Sequence, residues 1–169
     1  MSAGERKQLR GVVIVAIDGD LAERLYVLEA KDEIRRLMAA YVAARDLGIG
    51  SIDGCFTEDA VWEGVGRFAD VLGRHVGREA IIERFSEPLP PGLHLLVNES
   101  ISIDGDHGVG YWTYLQPLVL GGQAYWVAGR YHNDFHCQNG RWRFQHIRIE
   151  GIFQAPYDQG WAQVEFFRQ

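Results

Sequence analysis

Between Leu93 and Phe153 the chain runs through four long segments in which apolar and polar residues alternate, and the joints between them are only a few residues long. The segments are LHLLVNESISI, GVGYWTYLQPLVL, QAYWVAGRYHNDFHC and RWRFQHIRIEGIF, separated by DGDHG, GG and QNG. A period of two marks strands, and glycine-containing joints this short leave room only for hairpins. Consecutive hairpins force an antiparallel sheet, so more than a third of the chain is committed to one meander.

What precedes the sheet must cover one of its faces. From Leu21 to Asp46, apolar residues recur at Leu25, Leu28, Ile34, Leu37, Met38, Tyr41 and Val42, the spacing of one long amphipathic helix. Gly48 and Gly50 are placed to end it. A short helical turn is expected near Ser51 to Phe56, then a brief strand AVWEGVG, then a helix GREAIIERF from Gly77 to Phe85 that stops before Pro88, Pro90 and Pro91. Helices followed by hairpins predict an α+β fold: a cone in which a curved antiparallel sheet wraps round the long N-terminal helix. Such a sheet cannot fill its own interior evenly, so the wide end is expected to hold an apolar pocket. With 169 residues there is room for one domain, read here as residues 21–169 behind an extension at residues 1–20.

Composition removes several functions. The formal charge is −6 and the 17 Lys and Arg are scattered, which argues against nucleic acid and anionic membrane as partners. Cys55 and Cys137 are far apart and lack CxxC spacing, so neither a disulfide framework nor a zinc site is signalled. His132 and His136 lie four apart in a strand, about 13 Å along one face, too far to share a metal ion. No nucleophile elbow or phosphate-binding loop is present, and no metal or cofactor is expected. The apolar run Gly11 to Ile17 is too short to span a bilayer, and no cleavage site follows it, so a cytoplasmic protein is expected.

Four polar residues fall where apolar ones are expected: Tyr41, Asp46, His94 and Arg148. Tyr41 lies on the apolar stripe of the long helix and Asp46 at its end. Five residues turn a side chain about 140°, so the two share a site only if the helix unwinds near Asp46. A carboxylate at a helix C-terminus is disfavoured by the macrodipole and needs a reason to be there. His94 opens the first long strand among leucines, and imidazole, with an unperturbed pKa of about 6.5, exchanges protons near neutrality. Simple alternation puts Arg148 on one strand face with Trp142, Phe144 and His146, where it would pair with a carboxylate or an anionic substrate group, unless a β-bulge turns it outward. Trp62, Trp112, Tyr114, Trp126 and Tyr131 are candidates to line a pocket for a flat or polycyclic apolar molecule. Asn98, of the same parity as His94, is a candidate to orient a substrate oxygen.

The segments EIRRLMAAYVAARDLG, FTEDAVWEG, GREAI and GRYHNDFHCQNGRWRFQHIRIEGIF, in this order, resemble the SnoaL-like branch of the nuclear transport factor-like superfamily, from about Val27 to Ala162. A helical tyrosine, an aspartate five residues on and a strand-opening histidine are similar to the bile-acid dehydratases, scytalone dehydratase and hexachlorocyclohexane dehydrochlorinase. That resemblance implies a cofactor-independent lyase or isomerase, dehydratase-like, acting on a hydrophobic cyclic small molecule. It implies His94 as base, Asp46 as its partner, Tyr41 as phenolic acid or oxyanion donor and Arg148 as electrostatic stabiliser. The second carboxylate expected on the strand facing His94 is not evident, and Gln116 stands near its place. The same scaffold hosts cyclases, epoxide-opening enzymes and non-catalytic binding or assembly modules, which stay open as alternatives. The resemblance also implies a homo-oligomer, a dimer or trimer, with Trp112 or Tyr125 as candidate interface aromatics.

Overall fold

The computed structural model describes residues 19–48, 51–86 and 90–163. Most of the proposed N-terminal extension, residues 1–18, lies outside this range, as does Gly50. Helix α1 spans Gly19–Leu47, and strand β1 spans Phe56–Val65. A 3-10 turn at Gly66–Phe68 leads into the short helix α2, Ala69–Leu72, strand β2, Arg74–Val76, and helix α3, Arg78–Arg84. The four long strands follow: β3 (Leu95–Asp104), β4 (His107–Leu120), β5 (Gln123–Gln138) and β6 (Arg141–Pro156). No described helix is long and apolar enough to cross a membrane.

The strands form one open sheet in the order β2-β1-β6-β5-β4-β3. Hairpins join β3 to β6 as the short glycine joints require, but the sheet is mixed. Strand β1 docks parallel to the free edge of β6, which corrects the expectation of a wholly antiparallel sheet. It is also longer than expected, beginning at Phe56, where a bend and turn replace the helical turn anticipated near residues 51 to 56.

One stripe of α1 (Ala30, Ile34, Met38 and Tyr41) is buried against the concave face of the sheet. It meets Phe56, Trp62, Phe135, Phe144 and Ile147 in a single core. The rings interlock: Phe144 lies 5.3 Å from Tyr41, 5.6 Å from Phe56 and 5.0 Å from Phe135, centroid to centroid. Trp112 belongs to this core, 5% exposed and packed on Phe135, so it is neither the interface residue nor the pocket wall expected of it.

Two bulges in β6 control which way its side chains point. Phe135 pairs with Phe144 but Asp134 with His146, and Gly129 pairs with Gly151 but Ala128 with Phe153. Gln145 and Ile152 are therefore extra residues, and each one reverses the alternation beyond it. Trp142 and Phe144 point inward, then Ile147 and Ile149 do, while Phe153 and Ala155 turn to the convex face with Ala128 and Trp126. On the concave side, Tyr114 packs over Gly129, where an added Cβ would stand 2.5 Å from the phenol oxygen.

Phe144 sits at the centre of the aromatic cluster, and its replacement by alanine is expected to cost about 3–5 kcal/mol. Urea unfolding of the wild type and the variant measures this. Gly129→Ala should destabilise by about 1–3 kcal/mol, because Tyr114 or the backbone must give way, as the same titration reads.

Candidate active site

The last turn of α1 and the segment opening β3 meet through one side chain. Asp46 accepts two hydrogen bonds from His94, Oδ2 from the backbone N–H at 2.6 Å and Oδ1 from ring Nδ1 at 2.6 Å. Both side chains are nearly buried, 6% exposed for His94 and 5% for Asp46. Burial by itself would raise the Asp46 carboxyl, but the hydrogen bonds and charge of His94, with Arg45 nearby, outweigh it and hold the group below its ordinary value. An ionised carboxylate can only accept, so Nδ1 carries a proton, and in the neutral form of the ring the lone pair lies on Nε2. Nε2 has no protein partner among the described residues, and the ring lines a cavity.

That cavity measures about 240 Å³ and lies between the end of α1, α2, α3 and the concave ends of β4 to β6. Its walls include Trp62, Phe68, Leu118, Val127 and Ile149, with Tyr114 and Tyr131 beside His94 at ring separations of 5.7 and 6.3 Å. Burial pushes both phenols well above their ordinary range, so they stay protonated and can donate. The polar lining is Arg45, Arg84, Gln116 and Gln154, and Gln116 stands where a second carboxylate was sought.

Helix α1 stays helical through Leu47, so Tyr41 and Asp46 leave it in different directions. Tyr41 is fully buried and does not line the cavity. Its oxygen accepts hydrogen bonds from Trp62 Nε1 at 2.9 Å and from Arg45 Nη1 at 2.8 Å. Tyr41 thus positions Arg45, which does reach the cavity. Arg45 escaped the sequence reading, yet a signal existed: it is the next step of the stripe Ala30, Ile34, Met38, Tyr41, a cation at a position the packing assigns to the interior.

Arg148 is placed differently from its expected role. The bulge at Gln145 turns it to the convex face, across from His132. There it donates to Asp134 Oδ2 at 2.8 Å and His146 Nδ1 at 2.8 Å. His146 Nε2 then donates to Glu63 Oε1 at 2.7 Å, and Glu63 also pairs with Arg74 at 3.1 Å. This network ties β1, β2, β5 and β6 together on the side of the sheet away from the cavity.

Of the proposed pocket residues, Trp62, Tyr114 and Tyr131 line the cavity. Trp112 lies deeper in the core, and Trp126 packs on the convex face against Tyr157 and Trp161. Asn98 is exposed in the β3 bulge between Val97 and Ser100, with φ 54°, and does not reach the site.

Two outcomes follow. The folded pKa of Asp46 lies below its unfolded value, so its stabilisation is full above the ordinary carboxylate range and disappears as pH falls through the folded pKa. The stability gap between wild type and Asp46→Asn, from denaturant titrations, should be widest near neutrality and close in acid. For Arg148→Gln, a loss of about 1–3 kcal/mol in unfolding free energy is expected, with binding in the cavity unaffected; calorimetric titration with a cavity ligand checks the second half.

Residues 27–148 match the SnoaL-like domain family. Among solved structures, a hexachlorocyclohexane dehydrochlorinase (LinA, type 2) is 22% identical with a TM-score of 0.66, over 76% of this chain and 89% of that one. A provisionally named aromatic ring hydroxylase from Novosphingobium aromaticivorans is 26% identical with a TM-score of 0.66, over 76% and 94%. A provisionally named scytalone dehydratase from the same organism is 17% identical with a TM-score of 0.67, over 77% and 89%. No curated protein matches in sequence. With more than two thirds of its length matched and the helix-and-cone architecture in place, the chain belongs to the SnoaL-like family, on a fold shared with dehydrochlorinase and dehydratase-like proteins.

Proposed function

We propose that the protein is a cofactor-independent lyase or isomerase in which His94 removes a proton from carbon in a compact, largely apolar ring compound. The observation that carries this reading is the state of one ring: Asp46 fixes the Nδ1–H tautomer, and the lone pair on Nε2 is left open to an apolar cavity. A general base needs that combination of defined tautomer, accessible lone pair and stabilised imidazolium.

In an elimination, the C–H proton goes to Nε2 and its electron pair forms the new double bond as a hydroxyl or halide departs from the adjacent carbon. The imidazolium, stabilised by Asp46, returns its proton to a leaving hydroxyl, giving water. In an isomerisation the same proton returns to a different carbon. Negative charge that develops on a substrate carbonyl is met by the protonated phenol of Tyr114 and the carboxamide of Gln116, both on the cavity wall. The cavity volume of about 240 Å³ suits one or two rings and is smaller than the polycyclic substrates the aromatic content suggested.

A second reading is a non-catalytic binding module, since one scaffold of this kind serves both catalysis and plain binding. The two readings separate by turnover. A panel of β-hydroxy and β-halo cyclic carbonyl compounds, followed by mass spectrometry in deuterated water, should reveal loss of water or halide, or deuterium uptake at carbon. On any compound turned over, His94→Ala should lower kcat by about 10²–10⁴ with an unchanged circular dichroism spectrum, and Asp46→Asn should lower it less. Full activity in His94→Ala would eliminate the lyase reading, and a panel wholly inert to the wild type would favour the binding module.

A further inference from the structure

The charges on the cavity wall do not balance. Arg45 and Arg84 line it together with His94 and two carboxamides, and no carboxylate does among the described residues. Asp46, next to Arg45 in the chain, has both its oxygens turned to His94. No ion pair joins Arg45 or Arg84 to a carboxylate among the described residues. Among the described residues Arg45 gives one hydrogen bond, to the phenol oxygen of Tyr41, and its buried Nε has no acceptor.

Three aromatic rings hold the Arg45 guanidinium in place. Its carbon lies 4.4 Å from the centroid of Phe85, 5.5 Å from Tyr41 and 5.9 Å from Trp62. Rings stabilise a cation without neutralising it and leave its N–H edge free to donate. Burying a permanent cation without a direct ion pair is costly, and a guanidinium in a mostly apolar cavity matches a carboxylate better than any neutral group.

We propose that the molecule bound in this cavity carries a permanent carboxylate on its one- or two-ring body, and that Arg45 binds that carboxylate while Arg84 adds attraction at the wall. This rests on the reading of the cavity as the substrate site, and it adds a substrate class: cyclic acids rather than neutral hydrocarbons or ketones. A carboxylate anchored at Arg45 leaves the remainder of the ring system against His94, so the anchored charge and the reacting carbon are separate parts of one molecule.

The test compares charged and neutral isosteres by isothermal titration calorimetry at pH 7 and low salt: 2-naphthoate against 2-naphthamide, and benzoate against benzamide. At least one acid should bind about tenfold or more tightly than its amide. Arg45→Gln should erase the preference, Arg45→Lys should keep part of it, and Arg84→Gln should reduce it only a few-fold. Equal affinity of acid and amide, a preference that survives Arg45→Gln in a variant with native circular dichroism, or no binding of either acid in the millimolar range would overturn the proposal. The acid-to-amide ratio in the wild type needs no folded variant and no turnover. A protein that prefers 2-naphthoate yet is indifferent to His94→Ala refutes the base and keeps the anion site; the reverse pattern does the opposite.

Discussion

The carboxylate of Asp46 is the joint on which the site depends. A negative charge in the last turn of a helix opposes the macrodipole, and a buried carboxylate is costly without partners. Both penalties are offset here by a single residue 48 positions away, which donates its backbone N–H and its ring N–H to the two oxygens. The backbone bond fixes where the chain enters β3, and the ring bond fixes the rotation and tautomer of the imidazole. Neither degree of freedom is left to the loop before His94. The geometry of the base is therefore a property of the helix end, and the helix end is in turn anchored by the buried stripe from Ala30 to Tyr41.

From that joint the rest of the site can be traced by direction. One residue before Asp46, the helix points Arg45 toward the rings of Trp62 and Phe85, and a turn earlier it points Tyr41 into the core beneath. A single helical turn so provides the carboxylate that orients a base, a cation on the cavity wall, and the phenol that holds that cation. The sheet contributes the opposite wall through Tyr114, Gln116, Val127, Tyr131 and Ile149, side chains whose inward parity follows from the register of β4, β5 and β6.

Sequence periodicity made the helix and the four long strands legible because each pattern is repeated over many residues and tied to burial. The joint between Asp46 and His94 was legible for a different reason: each residue was chemically out of place where it stood. Arg148 was misplaced because simple alternation was carried through β6 past the extra residue Gln145, whereas β5 alternates without a bulge and its parity alone sets Trp126 on the face opposite Tyr131. A bulge leaves no reliable signature in composition, since the extra residue is an ordinary one. Arg45 was missed because an arginine beside a helix end reads as solvated, and only the continuation of the buried stripe says otherwise. The parallel docking of β1 on β6 is a long-range choice that no local pattern in either strand encodes.

Strand β6 has a meaning beyond its own length. Its two extra residues make it pass through three environments: the aromatic core at Phe144, the cavity wall at Ile149 and Gln154, and the convex face at Phe153 and Ala155. Each bulge acts as a phase switch, and shifting one by a single residue would exchange the polar and apolar faces of everything beyond it without changing one side chain. Two members of such a family can therefore share an arginine at the same aligned place and yet present it to opposite sides of the sheet. In this fold the positions of the bulges, as much as the residues themselves, decide which chemistry reaches the cavity.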